Sequence, residues 1–210
     1  MRKFYILTLM LLFSISLVGC VEDKTSDNVK KEEEPKEGNP RILTEVGQVY
    51  EDKDSTTELM AIKDVDQTVD MGPLELTVDQ IKIFKKYDMD ERTIDFFSNF
   101  TSGYREEFEY AQITYKVENT EDRNVSVGYP IDAIVLSTGE HIESATNDFF
   151  AKNAGREFSG KSYKEGGISL IFESSTAEEI DSIKIITNDV FDDDTDEVIA
   201  DPQQVTFEMK

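Results

Sequence analysis

A two-residue alternation constrains this chain more than any other feature. Ala111, Ile113, Tyr115 and Val117 alternate with Gln112, Thr114 and Lys116, and Val205, Phe207 and Met209 alternate with Thr206 and Glu208. In extended backbone successive side chains point to opposite faces, so these runs read as strands with one face buried and one wet. Leu74, Leu76 and Val78 keep one phase while Ile81 and Ile83 keep the other. The inward face therefore switches near Asp79 and Gln80, which a β-bulge explains. Residues 132–136, 167–172 and 180–186 are more continuously apolar, as central strands of a sandwich are. Turn-forming residues separate the runs at 119–122, 137–139, 164–167 and 188–189. Two packed antiparallel sheets are the natural way to bury such strands, so the expected fold is all-β. Two segments interrupt the pattern. Residues 90–100 carry Ile94, Phe97 and Phe100 three apart, with an acidic start and Gly103 just beyond, and predict a short helix or compact loop; residues 147–155 look similar.

The N-terminus reads as an export signal. Arg2 and Lys3 form a basic start, residues 4–18 an apolar stretch, and Leu17, Val18, Gly19 and Cys20 its end. The apolar run of about 15 residues suits a signal h-region of roughly 7–15 residues better than the roughly 20 needed to span a bilayer. The ending resembles the lipobox of bacterial lipoproteins: an aliphatic residue three before the cysteine, a small pair, then the acylated thiol. That resemblance implies cleavage before Cys20, a diacylglyceryl group on its sulfur and palmitate-type acylation of the new amino terminus. One acyl chain binds a membrane only marginally, at about 0.8 kcal/mol per buried methylene, whereas two or three hold firmly. Cys20 is the only cysteine, so the chain has no internal disulfide. Three regions are expected: a signal peptide over 1–19, the lipidated Cys20 with a flexible, charged tether over 20–46, and a β-sandwich over 47–210. The tether is too polar to offset the entropy of ordering itself.

Charge excludes one class of partner. Forty-five acidic against twenty-two basic residues give a net charge of −23; removing Arg2 and Lys3 with the signal makes it −23 − 2 = −25. Such a chain repels phosphate backbones and anionic head groups, so no nucleic-acid partner is expected and the lipid must supply membrane attachment. A cationic partner, such as a basic peptide or metal ions, is electrostatically allowed, as is a purely solubilising role for the charge.

Residues 110–120, reading Tyr-Ala-Gln-Ile-Thr-Tyr-Lys-Val-Glu-Asn-Thr, form a strand ending in an Asn-Thr turn. Val125 to Val127, the Leu-Ser-Thr-Gly loop at 136–139, Gly166-Gly167 before an apolar strand, and the late strand at 180–185 follow it. In these features residues 108–210 resemble the DUF4352 family, secreted and lipoprotein domains of unknown function from Gram-positive bacteria. The resemblance implies an immunoglobulin-like antiparallel β-sandwich exported to the cell surface, and it supplies no catalytic residues. The aromatic insertion at 90–104 has no counterpart in it.

Enzymatic readings lack parts. His141 is the only histidine and sits between Glu140 and Glu143 near a turn; there is no Gly-x-Ser-x-Gly elbow and no set of His and Cys zinc ligands. Paired carboxylates are abundant, so a cell-envelope enzyme using two of them is an alternative, but nothing singles out a pair. No catalytic residue and no cofactor are therefore expected. Asp192, Asp194 and Asp196 open like a calcium loop, making a calcium-binding surface domain a further alternative; the pattern then departs, with Glu197 in place of the sixth-position glycine and Gln203 at the twelfth. The aromatic residues Phe96, Phe97, Phe100 and Tyr104, with Phe149 and Phe150, suit core packing. Exposed together on adjacent loops, they would instead mark a site for a protein or peptide partner. The overall expectation is a lipid-anchored, extracytoplasmic protein of the cell membrane with a non-enzymatic binding domain.

Overall fold

A computed structural model describes residues 42–150 and 155–210. The signal peptide, Cys20 and most of the tether lie outside the described residues, as do residues 151–154. Strand accounts for 51% of the described residues and helix for 8%, so the domain is all-β as expected. The strands in chain order are β1 (Val49–Glu51), β2 (Thr56–Met71), β3 (Leu74–Tyr87), β4 (Phe108–Asn119), β5 (Val125–Val127), β6 (Ala133–Leu136), β7 (His141–Glu143), β8 (Glu157–Phe158), β9 (Ser162–Ile171), β10 (Ser182–Ile186), β11 (Val190–Asp192), β12 (Val198–Ala200) and β13 (Gln204–Glu208). Two short helices, α1 (Glu91–Phe97) and α2 (Ser144–Asn147), interrupt them.

All pairings are antiparallel and fall into a five-stranded sheet, β1-β2-β3-β4-β9, and two four-stranded sheets, β13-β10-β6-β7 and β12-β11-β5-β8. The inner face of the large sheet carries Leu74, Leu76, Val78, Ile81, Ile83, Ile113 and Val117, which join Ile134, Ile183, Ile185, Val125, Phe158 and Val190 of the smaller sheets in one core. Each such aliphatic or aromatic side chain contributes roughly 1.5–3 kcal/mol on full burial. The arrangement is sandwich-like.

The phase change in β3 is a bulge, as the alternation predicts. The β3–β4 register shifts between Val78 and Gln80, leaving Asp79 opposite no partner. Strand β2 shifts twice, between Leu59 and Ala61 and between Asp64 and Gln67, with Asp66 at a φ of 48°. The turn from β2 to β3 needs glycine: Gly72 has a φ of 74°, and a Cβ there would lie 2.9 Å from that of Ala200.

Two expectations are corrected. Residues 164–167, read as a turn, lie inside β9 and pair with residues 114–117 of β4. The continuous apolar run at 167–172 reads as a central strand, yet β9 lies at the edge of its sheet. Its burial comes from the segment after α2. Asp148 bridges Leu170, the Phe149 N–H donates to the Ser169 carbonyl at 3.2 Å, and the Ser169 N–H donates to Asp148 Oδ1 at 2.9 Å. Gly167 lets this cover approach, because a Cβ there would lie 2.9 Å from the Phe150 ring. The apolar runs that form β6 and β10 are central, as expected.

Candidate functional site

The connection from β3 to β4 folds onto the outer face of the large sheet and builds most of what this domain could present to a partner. Asp90 caps α1, its carboxylate accepting the Thr93 N–H at 2.8 Å, as a helix N-cap should. The three-residue spacing puts Ile94 and Phe97 on one side of α1, and both are buried. Phe97 then sits at the centre of a ring cluster, with centroids 4.7 Å from Phe108, 5.1 Å from Phe149 and 5.0 Å from Phe96. Leu43, Leu59, Phe84, Phe108, Tyr110 and Ile171 complete this second core, on the opposite face of the sheet from the first. Leu43, assigned by composition to the tether, thus belongs to the packed domain.

The four aromatic residues of this segment therefore divide between core and surface. Phe97 is core and is removed from any contact surface, because its ring is enclosed by Phe108 and Phe149. Phe100 is half-buried, 6.2 Å from Phe149. Phe96, one position off the buried stripe, is 52% exposed, and Tyr104 is 63% exposed. Adjacent to them a cleft of about 560 Å³ opens between α1 and residues 104–107. Its apolar walls are Tyr87, Met89, Ile94 and Tyr104; Asp88, Glu91, Glu106 and Glu107 supply carboxylates. One of these is occupied from within: Lys85 Nζ lies 3.0 Å from Glu107 and 5.9 Å from the Tyr87 ring centre. The bond to Glu107 holds the Lys85 ammonium above its ordinary range. Among the described residues, Asp88, Glu91 and Glu106 form no ion pair.

Tyr104 is held by residues remote in sequence. Glu173 accepts the Ser102 N–H at 2.9 Å and the Ser102 hydroxyl at 2.6 Å, and pairs with Arg105, so the residues flanking Tyr104 are tied to one carboxylate. Glu173 is itself fixed by Glu140. That carboxylate accepts the backbone N–H groups of Glu173 at 2.5 Å, Ser174 at 3.3 Å and Ser175 at 2.9 Å, together with the Ser174 hydroxyl at 3.1 Å. Partial burial alone would raise the Glu140 acid, but these bonds outweigh it and hold it below the ordinary carboxylate range. Sequence reasoning missed both glutamates, whose partners lie tens of residues away and leave no local signature.

The other candidates are placed as follows. Asp192 Oδ1 accepts from the Asp194 N–H and Thr195 N–H, each at 3.1 Å, and from the Thr195 hydroxyl at 3.3 Å; Oδ2 lies 3.9 Å from Arg123. This carboxylate closes the β11–β12 turn, while Asp194 and Asp196 are exposed. Among the described residues no three or more His, Cys, Asp or Glu side chains are grouped as a metal site requires. His141 is exposed on β7. Two carboxyls are shifted upward: Asp148 by burial, against the bonds it accepts from Ser169 and Phe150, and Asp79 by burial and by the nearby charges of Asp66 and Glu165. Neither lines the cleft beside α1.

Comparison with known proteins gives relatives without assigned roles. The chain is 29% identical over 182 residues to the uncharacterized protein YdhF of Bacillus subtilis (strain 168), a match covering 80% of this chain and 75% of that protein. Among solved structures it is similar to a functionally unknown protein from Listeria monocytogenes EGD-e, with a TM-score of 0.55 and 9% identity over 73% of this chain and 88% of that one. A likeness at that identity bears on the fold alone. No protein-family model matches the chain.

Proposed function

We propose that this chain is a bacterial lipoprotein, acylated at Cys20 and held on the extracytoplasmic face of the cell membrane, whose sandwich is a non-enzymatic domain binding a basic segment of an envelope protein or peptide. The observation that carries the binding assignment is the cleft beside α1. It combines Tyr87 and Tyr104 with four carboxylates, of which Lys85 engages only Glu107. Lys85 displays within the chain the chemistry offered to a ligand: an ammonium against a tyrosine face and a glutamate. An incoming lysine or arginine at Tyr104 would gain cation–π and charge-assisted contacts of the same kind, beside the exposed Phe96 ring. The net charge, −25 once the signal is removed, would steer a basic segment toward it, making association salt-dependent. The anchor rests on the residues at 17–20 and on the resemblance to lipoprotein domains. No helix among the described residues is long and apolar enough to cross a membrane.

The test is a pull-down from cell envelopes with the full chain, comparing wild type with a Tyr104→Ala/Glu106→Gln variant. A partner captured by wild type, released by about 0.5 M salt and lost in the variant supports the reading. A partner retained by the variant removes it from the cleft. Cys20→Ser tests the anchor separately: it should leave the chain unprocessed or release it from the membrane fraction, and an unmodified Cys20 thiol in mature protein refutes acylation.

A further inference from the structure

The outer face of the large sheet holds a second cavity, of about 390 Å³, which shares no lining residue with the α1 cleft. Its volume lies within the roughly 300–1,000 Å³ of small-molecule pockets. Alternation along β4 sends Phe108, Tyr110 and Gln112 to this face, and the antiparallel register places Phe84 of β3 opposite Tyr110. The two rings stack with centroids 5.3 Å apart and 27° between their planes. Tyr50 and Leu43 wall the cavity from the N-terminal segment, and Asp52, Thr57 and Gln112 contribute polar groups.

Tyr110 is the group with no internal explanation. Its side chain is only 7% exposed, and burial, unopposed by any hydrogen bond, holds its phenol far above the ordinary range. It is therefore a protonated donor at neutral pH. Buried hydroxyls normally have partners. This one has none among the described residues, and it is not sealed off as the Ser144 hydroxyl is; the cavity it lines is the space left to it.

The remaining polar groups are partly used, and their free valences alternate in kind. Asp52 Oδ1 accepts the Asp54 and Ser55 N–H groups, each at 2.9 Å, leaving Oδ2 as an acceptor. Thr57 Oγ1 accepts from Lys86 Nζ at 2.9 Å, leaving its own proton to donate. The Gln112 side-chain N–H₂ reaches Ser169 Oγ at 3.4 Å, leaving the amide oxygen to accept. Charge is balanced, because the Lys86 ammonium and the Asp52 carboxylate act on one another across this region. An anionic ligand would meet Asp52, a cationic one would meet Lys86, and an apolar one would leave Tyr110 and Gln112 unpaired.

We propose that this cavity binds a neutral polyhydroxylated ring, a pyranose unit, whose hydroxyls accept from Tyr110 and Thr57 and donate to Asp52 and Gln112. The unit is either a free sugar or the end of a glycan, and the site is independent of the basic partner assigned to the α1 cleft. The test is a titration of the ¹⁵N-labelled full chain, in a sugar-free zwitterionic detergent, with glucose, N-acetylglucosamine and their β-1,4-linked tetramers, read at the Gln112 side-chain amide. A saturable shift is expected from at least one of the four. Tighter binding of a tetramer than of its monomer assigns the site to a glycan end, and equal binding assigns it to a free sugar. Tyr110→Phe, which keeps the ring and deletes the donor, should weaken binding roughly two- to tenfold with an otherwise native spectrum. Gln112→Ala, followed through backbone amides around the cavity, serves as the second variant should Tyr110→Phe perturb the fold. No saturable shift from any of the four sugars at about 50 mM, or affinity unchanged in both variants, overturns the proposal.

Discussion

Glu140 offers a perturbation whose consequence can be worked from geometry. Its carboxylate collects three backbone N–H groups and one hydroxyl from residues 173–175, at 2.5–3.3 Å. Hydrogen bonds to a charged acceptor contribute roughly 1.5–3 kcal/mol each when fully sheltered. Here the carboxylate is partly solvated and the Ser174 N–H contact is long, so solvent screening reduces the sum. Glu140→Ala should cost about 2–3 kcal/mol, and Glu140→Gln, which keeps one acceptor oxygen but sets an N–H₂ against backbone donors, about 1–2 kcal/mol. The assay is urea unfolding with the slope checked for constancy, so that midpoint shifts report stability. The sign with pH follows from the lowered folded-state pKa. A carboxylate held below its ordinary value of 4.5 contributes fully above that value and loses the contribution as pH falls through the depressed one. Wild type and Glu140→Gln should therefore differ at pH 7 and converge on acidification below the depressed folded value. A difference under about 0.5 kcal/mol at pH 7, within the scatter of ordinary surface substitutions, or one that persists undiminished after acidification, refutes the bonded-carboxylate argument.

Three further substitutions separate core from surface and test the bulge. Phe97→Ala should destabilise by about 3–4 kcal/mol in the same assay, while Phe96→Ala, on a ring 52% exposed, should cost less than about 1 kcal/mol; equal costs would contradict the division of the aromatic cluster. Asp79→Asn removes a carboxylate whose folded-state pKa is raised by burial and by the charges of Asp66 and Glu165. A raised carboxyl favours the folded state less as pH rises through its titration, so the substitution should stabilise the protein by about 0.5 kcal/mol at pH 7 and make no difference in acid. Loss of stability at pH 7 would place Asp79 in a favourable interaction instead.

Burial periodicity made part of this fold legible and hid the rest for identifiable reasons. Strand β4 is a single unbroken alternation and reads directly. The break between Val78 and Ile81 in β3 exposes its bulge because both flanking phases are apolar and therefore visible. Strand β2 is longer than either, 16 residues, and leaves no periodic signal in the sequence. Its two register shifts scramble the period, and much of its central stretch is exposed on both faces, so there is no alternation to see. The apolar run of β9 is visible in the sequence, but its place at the sheet edge is not. Hydrophobicity reports that a residue is covered, not what covers it, and residues 148–150 shelter β9 as effectively as a neighbouring strand would.

The same distinction governs the candidate sites. Ile94 and Phe97 announce the buried side of α1 by helical spacing, and Phe96, out of step with them, is left exposed; that much of the proposed surface follows from the residues alone. What places Tyr104 beside it is the relay from Glu140 to Glu173 to Ser102 and Arg105, a set of polar contacts spanning three separate loops. The cavity beneath Tyr110 is more remote still from the sequence, since in the alternation of β4 a tyrosine facing the second core is simply another apolar position. Its hydroxyl becomes informative only when the surrounding partners are known and found to be absent. Packing is thus encoded in local patterns that a reader can follow, whereas recognition chemistry in this domain depends on which polar groups long-range contacts leave unpaired.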